Sequence, residues 1–204
     1  MKVYLKQAVV PLIYMFFVSL IAMGILTLGE DLIWLKAVLC ALNVGLYAVI
    51  IAGISYREGQ QAIKVRTAND VERKLIVKTG EDRPLKIHEE YKWWKGFLMG
   101  AMTCAPMLLL MLVHTILISI NPALIGCGAT ACFFYMAVFS FVMLKTSGVQ
   151  DIKPLNPTKF YYNLLALPFI MLVYGIFYNI GARKIQRQQD AIKAKHRDIY
   201  GEEL

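Results

Sequence analysis

The sequence predicts an all-α integral membrane protein with about five transmembrane helices, arranged as two helical hairpins and a fifth span. Apolar residues make up 58% of the chain and charged residues 18%, against roughly 45–50% and about 25% in soluble domains. Residues 97–144 contain no Asp, Glu, Lys or Arg, and His114 is their only histidine. Such a run is long enough for two spans, because one crossing needs about 20 apolar residues.

The first hairpin comprises residues 8–29 and 32–55, which are separated by Glu30 and Asp31. Pro11 falls in the first turn of the first span, where its missing N–H costs little. A cleaved signal peptide is the alternative, with an apolar core of about 7–15 residues and an A-x-A-like cleavage site. This run is longer and lacks that site, so we interpret it as a retained anchor.

The second hairpin comprises residues 97–120 and 122–144, with Asn121-Pro122 at its turn, and residues 160–182 form the fifth span. Its flanking tyrosines suit the aromatic belt at a membrane surface. The chain therefore divides into a first hairpin at 1–55, a polar segment at 56–95, the second hairpin with the fifth span at 96–182, and a basic helical tail at 183–204.

The basic residues predict the orientation, because cytoplasmic loops carry an excess of Lys and Arg. Segment 56–95 holds ten of them, whereas the first hairpin turn offers only acidic residues. We therefore expect a multi-pass protein of the cell membrane with its N-terminus and residues 56–95 in the cytoplasm. Five spans place the tail outside despite its six Lys and Arg. Either the tail departs from the charge rule or one segment does not fully cross, and both remain open.

The polar segment 56–95 is predicted to begin as a helix that continues out of the membrane. Residues 74–78 and 85–88, joined by a turn at 80–83, then form a possible small hairpin. Isolated two-stranded hairpins are marginal in water, so this one would rest on a helix or on lipid.

Trp93 and Trp94, flanked by Lys92 and Lys95, predict an interfacial anchor, with the rings at headgroup depth and the lysines toward phosphate. Aromatic and basic residues in such a pattern also bind single-stranded nucleic acid. Because the segment ends where hydrocarbon begins, we expect anionic lipid headgroups as its partner and no nucleic acid.

Polar groups inside the membrane are the candidate functional site. His114 and Asn43 lie within apolar spans, and intramembrane ionisable residues are functional candidates by default. If the hairpins pack together, Glu30, Asp31 and Lys36 share the outer third of the membrane with His114. For His114 and Asn43 we favour packing with interhelical hydrogen bonds, and a role in binding or proton handling is the alternative.

Small residues recur at four-residue spacing in two places, which favours close helix packing. They are Ala37, Ala41 and Gly45 in the second span, and Gly96, Gly100 and Cys104 in the third. Whether the partner helix belongs to this chain, to a second copy or to another membrane protein stays open.

Motifs for catalysis and metal binding are absent from the sequence. It has no G-x-x-x-x-G-K-[ST] loop, G-x-S-x-G elbow or H-E-x-x-H helix. Its four cysteines include no C-x-x-C pair. Their predicted depths are too different for a zinc site, whose ligands lie about 2.0–2.3 Å from one point. We therefore expect no metal and no cofactor.

Three functions are compatible with these features. The favoured one is a non-enzymatic subunit, adaptor or regulator of a membrane assembly. The alternative is a small-molecule or ion transport component, with helix breaks lining a cavity. A membrane-embedded enzyme that uses His114 is the second alternative.

The predicted orientation can be tested at Thr79. In intact cells, a cysteine introduced by Thr79→Cys should resist a membrane-impermeant thiol reagent and react after permeabilisation, because residues 56–95 are expected in the cytoplasm. If the reagent labels intact cells as fast as permeabilised cells, the predicted orientation is wrong.

Overall fold

The computed structural model describes residues 2–26, 28, 32–81, 84–120 and 166–200, and all regular structure in these ranges is helical. In chain order the α-helices are α1 (Lys2–Leu26), α2 (Ile33–Thr79), α3 (Lys95–Ile120) and α4 (Ala166–Tyr200), with a 3-10 turn at Ile87–Glu89 before α3. The predicted all-α class is thereby confirmed for the described part of the chain.

Three described segments are long and apolar enough to cross a membrane: Gln7–Ile25, Trp34–Thr79 and Ala166–Arg197. They lie in α1, α2 and α4 and correspond to the first, second and fifth predicted spans. Helix α3 extends over the third. The predicted span at 122–144 and the turn at Asn121-Pro122 lie outside the described residues, so the count of five remains a prediction.

Helix α2 has 47 residues and is therefore roughly 70 Å long, more than twice the thickness of the hydrocarbon core. The strand predicted at 74–78 is wrong, because α2 continues to Thr79. Extending an existing helix adds a hydrogen bond for each residue fixed, whereas a two-stranded hairpin is marginal. The helix ends at Gly80, which has φ 70° and donates its N–H to the Ile76 carbonyl.

The connection from α2 to α3 returns along α2 toward the membrane. The backbone N–H of Lys86 donates to Asn69 Oδ1 at 3.2 Å, and that of Tyr91 donates to the Ala62 carbonyl at 3.2 Å. Arg73 and the Asn69 amide both donate to Glu90 Oε1, at 2.6 and 2.7 Å. These bonds fix residues 86–91 against α2 and set where α3 begins.

All four helices contribute to one buried core, in which α4 packs against both α2 and α3. Its largest fully buried side chains are Tyr47, Tyr174, Tyr178, Met15, Ile51, Met99 and Ile170. Many apolar side chains on the opposite faces of the helices are exposed, such as Phe17 and Leu42. That pattern suits a bundle whose outer surface contacts lipid.

Helices α2 and α4 approach backbone to backbone at two glycines. A Cβ on Gly59 would lie 2.0 Å from the Tyr178 carbonyl oxygen, and a Cβ on Gly181 would lie 2.1 Å from the Tyr56 carbonyl oxygen. No side chain fits at either position. Gly59 and Gly181 therefore permit the close crossing of the two helices.

The two small-residue strips have different surroundings. A Cβ on Gly96 or Gly100 would lie 2.6 or 2.8 Å from atoms of α4, so the α3 strip faces that helix. On the α2 strip, Ala41 is exposed, and no atom lies within 4 Å of a Cβ built on Gly45. Within the described part of the chain, Ala41 and Gly45 are therefore not covered by another helix, and Ala37 is half-buried.

Gly59→Ala should destabilise the bundle, because overpacking a closed contact costs about 1–3 kcal/mol. Gly45→Ala is the matched control in the same helix, where the added methyl meets open space and gains roughly 0.5–1 kcal/mol of helix preference. Thermal unfolding in mild detergent should show a lower midpoint for Gly59→Ala alone. Equal midpoints for the two variants would contradict the close crossing.

Candidate functional site

A polar cavity of about 230 Å³ lies where the apolar parts of the helices give way to their polar parts. Gln7 immediately precedes the first apolar run, and Glu58 closely follows the second. Lys95 closely precedes the third, so the cavity lies at the level of a membrane surface. Its charged and hydrogen-bonding residues include Gln7, Glu58, Lys64, Glu89, Lys95 and Tyr178.

Glu58 links α2 to α4 within this cavity. The Tyr174 hydroxyl donates to Glu58 Oε2 at 2.5 Å, and the Tyr174 side chain is fully buried. Burial raises the pKa of the Glu58 carboxyl to about 7, while the hydrogen bond from Tyr174 and the charge of Lys95 oppose that shift. The half-buried carboxylate therefore has a fixed partner from the neighbouring helix, and the close crossing at Gly59 positions that helix.

Lys95 is the first residue of α3 and is 3% exposed. Its Nζ donates to the His88 carbonyl at 3.1 Å. Burial lowers the pKa of Lys95, while Glu58 and Glu89 favour the charged form and oppose that shift. The ammonium is thus part of the cavity, shared between the 3-10 turn and α2.

The predicted interfacial anchor divides into two environments. Trp93 is 67% exposed and Trp94 is 40% exposed. Lys92 is exposed too, with its Nζ 5.6 Å from the centre of the Trp94 ring. All three suit a membrane surface, whereas the Lys95 side chain is enclosed within the protein.

The segment that carries Glu89 is held on both sides. Tyr91 donates its hydroxyl hydrogen to Asn179 Oδ1 at 2.6 Å, and its ring stacks on Tyr178 with centroids 5.7 Å apart. The Asn179 amide also donates to the Trp93 carbonyl at 3.1 Å. Glu89 therefore faces the cavity from a backbone anchored to both α2 and α4.

Gln7 brings an unsatisfied acceptor to the cavity. Its Oε1 is buried and has no hydrogen-bond partner among the described residues. A buried acceptor without a donor costs about 1–3 kcal/mol. A molecule that offers an N–H or O–H group would recover that cost.

The predicted intramembrane site is described only in part. Asn43 is buried and donates its amide to the Val18 carbonyl at 3.1 Å, which joins α2 to α1. Lys36 is buried as well. His114 lies in α3, but its side chain falls outside the described residues, as do Glu30 and Asp31. Their grouping therefore stays a prediction.

Cys40 and Cys104 are free and buried. In the described ranges, no group of three or more His, Cys, Asp and Glu side chains could hold a metal ion. Comparisons with protein-family models, curated proteins and solved structures found no match to this chain.

The sequence does not identify the residues of the cavity as a site. It singles out only Lys95, and predicts for it the role of an interfacial anchor. Gln7, Glu58 and Glu89 belong to three separate elements, and each looks like an ordinary polar residue beside an apolar run. The available signal was their common depth, because all lie close to the boundary of a predicted span. Depth alone does not show which faces of the helices meet.

Lys95→Met should lower the thermal unfolding midpoint in detergent, because it leaves the His88 carbonyl and two carboxylates without their ammonium, at about 1–3 kcal/mol. Lys92→Met is the control, since it loses only a cation–π contact worth about 0.5–1 kcal/mol at an exposed position. If both substitutions lower the unfolding midpoint by a similarly small amount, Lys95 is an interfacial anchor like Lys92.

Proposed function

We propose that this protein is a non-enzymatic subunit, adaptor or regulator of a membrane assembly. The observation that supports it is a pair of helices that extend from the membrane bundle as a continuous polar stalk. The stalk comprises residues 57–79 of α2 and 183–200 of α4. The α2 part alone extends about 35 Å beyond the apolar run.

The two halves of the stalk contact each other as well as the bundle. Gln189 donates its amide to Thr67 Oγ1 at 3.1 Å, well away from the apolar segments. Lys184 lies 5.8 Å from the centre of the Tyr56 ring, near the base of the stalk. Because both helices are unbroken from bundle to stalk, a partner bound to the stalk would act directly on the membrane helices.

The stalk carries twelve Lys and Arg against five Asp and Glu. It also exposes apolar side chains at Val71, Val77 and Ile192, which are 54%, 86% and 64% exposed. Charged surfaces steer association with partners of opposite charge. We therefore propose a membrane-associated protein with an acidic contact surface as the partner, and the cytoplasm as the compartment. The contact between Gln189 and Thr67 puts the tail on the same side as residues 56–95, which favours the alternative that one of the five predicted segments does not fully cross.

The second candidate is a small-molecule or ion transport component, and the polar cavity is the observation that favours it. The cavity is bordered by α1, α2, α3 and α4, so motion between these helices would change its access. A membrane-embedded enzyme that uses His114 is the second alternative.

The adaptor function is tested with a photo-crosslinking amino acid at Ile192 in the full-length protein, in native membranes. Leu42 is the control, being an apolar α2 position that is 64% exposed like Ile192. Position 192 should give one protein adduct of defined mass, and position 42 should give lipid adducts only. Lys193→Glu with Lys195→Glu should remove the adduct at 192, because the contact is expected to be electrostatic.

An adduct of twice the chain mass would identify the partner as a second copy. If Ile192 crosslinks only to lipid, or if its protein adduct survives the charge reversal, the stalk is not the proposed binding surface.

A further inference from the structure

The lining of the polar cavity is rich in hydrogen-bond acceptors. Gln7 contributes a buried amide oxygen with no partner among the described residues. Glu58 and Glu89 contribute carboxylates, each half-buried. The buried Lys95 ammonium already donates to the His88 carbonyl. Gln61, Lys64 and Tyr178 add hydrogen-bond donors to the same lining. The unpartnered acceptor is the Gln7 oxygen, so a molecule that supplies N–H donors near it complements this part of the cavity.

The charged side chains of the lining restrict the class of ligand further. Glu58 and Glu89 are offset by Lys64 and Lys95 in the same lining, so the cavity suits a ligand without net charge. A primary ammonium on such a ligand offers three donors on one atom. Lys64, in contrast, lines the cavity with an exposed side chain. An anionic group attached to the ammonium by a short linker would lie at this outer side and meet the positive charge of Lys64.

Size and depth agree with a small zwitterion. The cavity of about 230 Å³ is smaller than the roughly 300–1,000 Å³ of pockets that enclose drug-sized molecules. It lies at the level where the apolar runs begin, which is the depth of phospholipid headgroups. Aminoethyl phosphate has the required size and the required order of charges.

We propose that this cavity binds a primary-ammonium zwitterion. Gln7, Glu58 and Glu89 accept hydrogen bonds from its ammonium, and Lys64 faces its phosphate. The chemistry is shared by the headgroup of phosphatidylethanolamine and by free phosphoethanolamine. The site does not depend on a protein partner at the stalk, so the two proposals can fail separately.

The test uses the purified full-length protein and native mass spectrometry after exchange into mixed lipids. Phosphatidylethanolamine, its N-methyl and N,N-dimethyl forms, and phosphatidylcholine have the same net charge but successively fewer N–H donors. Retention should fall along this series, by about tenfold or more overall, because each methyl group removes one N–H donor from a charge-assisted hydrogen bond. Because this comparison uses the unaltered chain, it does not depend on the folding of any variant.

Two variants connect the preference to the cavity. Gln7→Leu removes the unpartnered acceptor, and Glu89→Gln removes one negative charge. Each should reduce the preference for phosphatidylethanolamine over phosphatidylcholine several-fold. Glu81→Gln is the matched control, because Glu81 is an exposed acid beyond the end of α2. It should leave the preference unchanged.

Addition of soluble phosphoethanolamine separates the two sources. Displacement of the bound lipid shows that the free zwitterion also fits, and persistence of the lipid shows that the acyl chains contribute to binding. Equal retention along the methylation series would overturn the proposal. A preference that neither Gln7→Leu nor Glu89→Gln reduces would also overturn it, since recognition would then lie elsewhere on the protein.

Discussion

The backbone contact between α2 and α4 at Gly59 and Gly181 is the constraint on which the other features depend. Lipid tails are as apolar as the helix surfaces, so helices in a membrane associate through close packing and hydrogen bonds. At each glycine, a carbonyl group of the other helix occupies the space of a side chain. A Cβ built there would lie about 2 Å from the carbonyl oxygen. This contact sets the rotation of α4 and thereby points Tyr174 toward Glu58.

The same crossing explains why charged groups are buried at a membrane boundary. Helix α3 packs through Gly96 and Gly100 on the face of α4 that is already held against α2. Its first residue, Lys95, is thereby enclosed near Glu58 and Glu89. Each of these three groups has an opposite charge or a carbonyl within reach, as burial in a low-dielectric region requires. The polar cavity is the space that remains between these groups.

Stalk and cavity are parts of the same two helices, which gives the proposed functions a common physical basis. Glu58 lies one turn before Ala62, where the returning connection is bonded to α2, and the stalk continues from there without a break. A shift of α4 against α2 would alter the Tyr174–Glu58 bond and the Gln189–Thr67 bond together. A membrane component of this design can connect events at the bilayer surface with a partner outside it.

The sequence by itself determined the helical class and three of the helices that are long and apolar enough to cross a bilayer. Backbone groups in lipid must be satisfied within helices, and the length of an apolar run reports that requirement directly. Tertiary structure alone decided which face of each helix is covered. Lys92 and Lys95 look alike in the sequence, yet one is exposed and the other buried. Gly45 and Gly59 look alike too, yet only Gly59 faces another backbone. Residues 74–78 resemble a strand, but an established helix extends through them. Hydropathy is a property of single segments, whereas these outcomes depend on how helices distant in the chain are rotated against one another.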